Sequence, residues 1–191
     1  MLDDFFNFIL PISIQLFSAF GLYTLLFLII RIFNRKQYLL EIDKKSCDFI
    51  SFIGLIYFSC FFIWIILELS FKKDNDLSDR IFGRYWFGFW MQPTFWIILS
   101  QLLRIQKIAN NILFRIVSSI LFILSFEKIV IITTSLHRDY LPSSWTMHQE
   151  AYFLPSNFWL ALILKIVEFL ILVYIFSFIK IFIRRKNFKN S

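Results

Sequence analysis

Only two cysteines occur in this chain, Cys47 and Cys60. Cys60 falls in the middle of an apolar run and Cys47 at its boundary, which excludes an exported disulfide framework. Their spacing also lacks the C-x-x-C-H haem attachment and the iron–sulfur patterns, so no cysteine-ligated cofactor is expected. The N-terminus, Met1-Leu2-Asp3-Asp4, lacks the basic front and small-residue cleavage site of a signal peptide, and the first hydrophobic helix is expected to remain in the mature protein. No internal repeat recurs at a fixed spacing, and the connections between apolar runs are too short for a separate soluble domain. Glycine and alanine number only four each against 27 Phe, a bias that suits an AT-rich, reduced genome.

What fills the chain instead is hydrocarbon. Hydrophobic residues make up 59% of the 191 and aromatics 21%, with a mean hydropathy of +0.70, far too apolar for a soluble domain of this size. A helix needs about 20 predominantly apolar residues to cross the bilayer core. Five runs approach that length, at residues 9–33, 49–69, 85–103, 112–134 and 158–182. The expected fold is therefore all-α, a polytopic transmembrane bundle of about five spans that forms one integral membrane domain over residues 1–191. Of its 20 Lys and Arg, Lys128 and Lys165 fall within apolar runs and the other 18 are unevenly spread: 13 fall on one side (Arg31, Arg35, Lys36, Lys44, Lys45, Arg104, Lys107, Arg115, Lys180, Arg184, Arg185, Lys186, Lys189) and five on the other (Lys72, Lys73, Arg80, Arg84, Arg138). The positive-inside bias then puts the N-terminus outside and the C-terminus in the cytoplasm of a bacterial inner membrane. The net charge of +7 thus reports orientation in lipid and excludes nucleic acid as a partner.

Ionisable residues inside apolar runs need a partner, water or a function. Glu68, after Trp64, sits where a carboxylate can snorkel to an interface. Gly83 to Pro93 read as an aromatic belt, Pro93 as a kink, and Asn110-Asn111 as the start of the fourth helix. Glu127 and Lys128 lie within the fourth run, which ends in His137-Arg138-Asp139-Tyr140-Leu141-Pro142-Ser143-Ser144-Trp145. On a helix Glu127, Thr134 and Arg138 share one stripe, with Lys128 and Ser135 on the next, giving a polar track toward the outer surface. Lys165 and Glu168 are spaced to pair along the fifth helix. A structural charge network is expected in which Lys165 also meets Glu127 and Glu168 meets Lys128.

Gly83-Arg84-Tyr85-Trp86, Gln101-Leu102-Leu103 with Lys107, and Glu127 followed by Ile129 through Met147 resemble the C-terminal half of the large quinol-binding membrane subunit of bacterial alternative complex III. That subunit belongs to the polysulfide-reductase (NrfD-like) family. The resemblance spans residues 83–147 and implies the second four-helix bundle of that family, with about half its spans; the chain would be a split half, a reduced version or a remnant. It also implies a helical subunit with no haem of its own, beside iron–sulfur and multihaem cytochrome subunits, in menaquinol oxidation. A second NrfD-like chain would supply the missing helices.

Oxidising a quinol releases protons as well as electrons, so a base near the ring and an acid-lined exit are required. His137, with an ordinary pKa of about 6.5, suits that base, and Asp139 and Glu127 are the other candidates for handling protons. Arg138, Tyr140 and Trp145 are candidates for quinol or partner contacts, and no metal ligand set is expected. Two other readings remain: a structural or assembly subunit in which the same residues anchor partners, and a small transporter.

Overall fold

A computed structural model of the chain describes residues 2–34, 36–71, 78, 81–83, 86–124 and 158–189. The described residues are all-α: α1 (Leu2–Phe33), α2 (Gln37–Phe71), α3 (Trp86–Leu102), the single turn α4 (Gln106–Ala109), α5 (Ile112–Ile123) and α6 (Phe158–Lys189). Three of these are long and apolar enough to cross a membrane, at Phe8–Phe33, Gln37–Ser70 and Trp159–Ile183. The chain is a membrane protein.

Five spans were expected, and the other two are shorter. With 17 residues α3 reaches roughly 25 Å at 1.5 Å per residue, just under the bilayer core. The run over residues 112–134 is not one continuous helix: α5 stops at Ile123, where Leu124 turns to extended backbone (φ −97°, ψ 120°). A helix end leaves its last carbonyls without intrahelical donors. One of them, Leu121 O, accepts the indole N–H of Trp96 on α3 at 3.1 Å, so the neighbouring helix satisfies part of this end. The other end of α5 follows the sequence: Asn111 is the N-cap, its side chain accepting from the Leu113 and Phe114 amides at 3.0 and 3.5 Å.

The helices sort their side chains in the membrane sense. On α5 the buried residues are Arg115, Ser118, Ser119 and Phe122, while Ile112, Leu113, Ile116, Val117 and Ile120 face outward. On α2 the buried stripe is Asp43, Ser46, Cys47, Ile50, Ser51, Gly54, Tyr57, Phe61 and Ile65, at helical spacing. In water such helices would be inside out. In lipid the apolar face needs no cover, and small and polar residues belong between helices, where they let backbones approach and bond.

α1 lies against both α2 and α5, α3 against α2, and α6 against α1 and α2. An aromatic core fills the centre. Phe17 on α1 stacks on Phe122 of α5 with centroids 5.2 Å apart, and also meets Trp96 at 4.9 Å. Phe169 anchors α6 between Tyr23 and Phe49, at 5.6 and 5.8 Å. Toward the other end a smaller cluster of Phe61, Ile65 and Ile81 carries Phe89 and Trp90, the indole of Trp90 donating to Ile81 O at 3.3 Å.

Two glycines mark the close approaches. A Cβ on Gly21 would lie 2.8 Å from Ser119 O and from Ile123 Cγ1, and one on Gly54 would run into the side chain of Ser100. The second contact is reinforced by polar bonds. Ser51 Oγ lies 2.5 Å from Ser100 O and 2.7 Å from Cys47 O, and Gln101 Nε2 donates to Ser51 O at 2.9 Å. Gly88 has open space around it.

Gly54→Ala should therefore lower stability by about 1–3 kcal/mol through overpacking against α3. Gly88→Ala should be neutral or stabilise by up to about 1 kcal/mol, because it removes backbone freedom without a clash. Thermal unfolding of the two variants in one detergent measures both; equal effects would mean that α2 and α3 do not touch at Gly54.

Candidate functional site

An arginine four residues inside an apolar helix must either reach water or find partners. Arg115 is 1% exposed, so it has done the second. Its Nη2 donates to Asp43 Oδ1 on α2 in a buried ion pair, and its Nη1 donates to Cys47 Sγ, one turn along α2, at 3.1 Å. From α1, Phe20 and Phe27 each place a ring centroid 5.7 Å from the guanidinium carbon. The planar fork of Arg suits this place: it serves two acceptors in different directions and presents a weakly hydrated face to aromatic rings. The Ser118 and Ser119 hydroxyls turn back onto Arg115 O at 3.1 and 2.6 Å. Tyr23, buried on α1, stands close enough to Asp43, Ser46, Cys47 and Arg115 to interact with all four.

A polar cleft of about 180 Å³ opens beside this pair, on the Asp43 side. Asp43 and Cys47 line it, with Arg31, Lys44, Asp48, Arg104, Gln106 and Asn110 around them. Asp48 is itself paired, accepting from Lys180 on α6 at 2.6 Å. Both acids of the cleft are thus committed, and Arg31, Lys44 and Arg104 leave it electropositive. The arrangement can clamp three helices at one end of the bundle and present positive charge to whatever enters there. Among the described residues no group of His, Cys, Asp or Glu is placed to hold a metal ion.

The sequence pointed elsewhere. Glu127, Lys128, His137, Arg138, Asp139, Tyr140 and Trp145 lie outside the described residues, and so do the expected contacts of Glu127 with Lys165 and of Lys128 with Glu168. Lys165 reaches across to α1 and donates to Ser18 Oγ at 3.0 Å, while Glu168 is exposed on α6. Among the described residues no ion pair joins Lys165 to Glu168. With the cation N-terminal to the anion the order is the weaker one on a helix, and the Ser18 hydroxyl offers Lys165 a partner on the packed side. Arg115, one of the 13 charges counted on one side, is buried, which leaves 12 against five and the same bias.

Asp43 draws no notice in the sequence because the second apolar run starts at Phe49 whereas α2 starts at Gln37, and Tyr23, inside the first run, carries no charge to mark it. A usable signal was present. Arg115, Ser118, Ser119 and Phe122 recur at 3, 4 and 7 residues in an otherwise aliphatic segment, the spacing of one helix face. No protein family, curated protein or solved structure matches this chain.

Removing one partner of a buried pair strands the other charge, at a cost of about 3–5 kcal/mol, while replacing both can be close to neutral. Arg115→Met alone and Asp43→Leu alone should each destabilise the protein strongly, and the double variant should recover most of the loss. A double-mutant cycle on unfolding free energy reads this directly. Additive losses would mean that the two side chains do not interact.

Proposed function

We propose that this chain is the non-haem membrane subunit of a quinol-oxidising electron-transfer complex of the alternative complex III type. It sits in a bacterial cytoplasmic membrane with its N-terminus outside and its C-terminus in the cytoplasm. The observation that carries this reading is the charged segment His137-Arg138-Asp139-Tyr140, closed by Pro142 and Trp145 after an apolar run, in company with Gly83-Arg84-Tyr85-Trp86 and Gln101. The apolar-outward helices support the membrane part of it.

In this account His137 takes a proton from the quinol hydroxyl and Asp139 passes it to the outer face, while Glu127 handles protons deeper on the same track. Arg138, Tyr140 and Trp145 hold the ring or the neighbouring subunit. The iron–sulfur and haem groups of partner subunits take up the two electrons that a quinol gives. The Arg115–Asp43 pair lies at the cationic end, opposite the outer face where protons would be released, and serves as a clamp.

A second reading, a structural or assembly subunit without a quinone site, is favoured by one observation: Arg115 and Lys180 are each committed to an aspartate, which is how a scaffold uses charge.

A tagged chain drawn from native membranes should bring haem-bearing and iron–sulfur subunits with it and oxidise menaquinol. His137→Gln and Asp139→Asn should then lower turnover about a hundredfold and alter its pH profile with assembly intact. Unchanged turnover in a complex that assembles normally would leave the scaffold reading, and a chain that purifies without redox partners would overturn both. Single cysteines at Ser143 and Ser191 should label from opposite faces; labelling from one face would overturn the topology.

A further inference from the structure

At the cationic end of the bundle two openings share a wall. One is an apolar groove of about 670 Å³ between the end of α1, the start of α2 and the start of α5, walled by side chains such as Leu28, Ile32, Leu39, Ile112 and Ile116. The other is the polar cleft beside the ion pair, and Arg31 and Leu40 line both. A cavity that is hydrocarbon on one side and cationic on the other has the outline of an amphiphile.

We propose that this double cavity binds one anionic phospholipid, with its acyl chain in the groove and its phosphate held at Arg31, facing Lys44 and Arg104. The charge of the site selects the head group. Asp43 is committed to Arg115 and Asp48 to Lys180, whereas Arg31, Lys44 and Arg104 form no ion pair among the described residues. Lys36 adds a further cation at the rim of the groove, lying over the Tyr38 ring at 5.9 Å. A zwitterionic head group would bring its own cation into this field, and an anionic one relieves it. The groove follows α1 from Leu25 to Ile32, roughly 10 Å at 1.5 Å per residue, enough to order a stretch of acyl chain. Basic pockets between helices on the cytoplasmic side are where anionic head groups are available. The proposal rests on the membrane location and on the proposed cytoplasmic side of the cationic end, and is independent of quinol oxidation.

The full chain, purified and stripped of lipid, is titrated with phosphatidylglycerol, phosphatidylcholine of the same chains, inorganic phosphate and a neutral isoprenoid quinone. Retention is read by native mass spectrometry and stability by thermal unfolding. Phosphatidylglycerol alone should be retained at one per chain and raise the melting temperature. Arg31→Gln with Lys44→Gln should weaken its binding about thirtyfold while leaving the lipid-free protein as stable as before. Ile116→Trp, on the outward face of α5, should fill the groove and weaken binding without changing charge, which keeps the test decisive if the charge variant fails to fold. Equal binding of phosphatidylcholine, the same shift from phosphate or from the quinone, or undiminished binding in Ile116→Trp would overturn the proposal.

Discussion

The contact of Arg115 with Asp43 is the constraint around which the described helices are arranged. A guanidinium and a carboxylate cannot be left in a low-dielectric interior unless each is matched, since the effective desolvation penalty is several kcal/mol per ion. Matching them ties α5 to α2 through side chains alone, while both helices pack on α1, whose Phe20 and Phe27 rings meet the same cation. Gly21 then has to be glycine-sized, because the α5 backbone at Ser119 comes within contact of it. The pair contributes little net stability of its own. Its effect is to disfavour arrangements of α5 and α2 in which either charge is left without its partner.

Specificity of that kind matters more in lipid than in water. Aliphatic side chains gain little by leaving acyl chains for one another, so helix association depends on close backbone approach and on polar contacts. The described interfaces show this division. Ser51, Ser100, Gln101 and Gly54 join α2 to α3, the Trp96 indole caps an orphan carbonyl of α5, and Lys165 reaches Ser18 across α1 and α6. The aromatic core supplies area and shape between these points, with Phe17, Phe122 and Phe169 filling space that small interfacial residues leave open.

Much of this was legible from residue order, and the parts that were not have physical reasons. The all-α membrane class follows from apolar run length, and the cap at Asn111 follows from an amide-bearing residue just before an apolar periodic segment. The stop at Ile123 has no such marker: Leu124 is followed by neither Gly nor Pro, and the carbonyl acceptor is met by Trp96 from a distant part of the chain. The burial of Arg115 is not legible from its place near a turn, because it depends on an acid 72 residues away. Asp43 was overlooked because helices in membranes continue past the apolar run, as α2 does from Gln37. The residues from Glu127 to Trp145, to which the quinol proposal gives its proton and ring contacts, lie outside the described ones, while the clamp is a matter of geometry.

Asp43 holds Arg115 inside the bundle rather than at the membrane surface. Solid-state NMR on the chain in lipid bilayers, with ¹⁵N on the arginine guanidinium and ¹³C on the aspartate carboxylate, measures that contact directly. Assigned through the Arg115→Met and Asp43→Leu spectra, the Arg115 and Asp43 signals should show dipolar coupling consistent with a charge-assisted bond of about 2.8 Å from nitrogen to oxygen. An Arg115 guanidinium that exchanges with bulk water and shows no coupling to Asp43 would contradict the account.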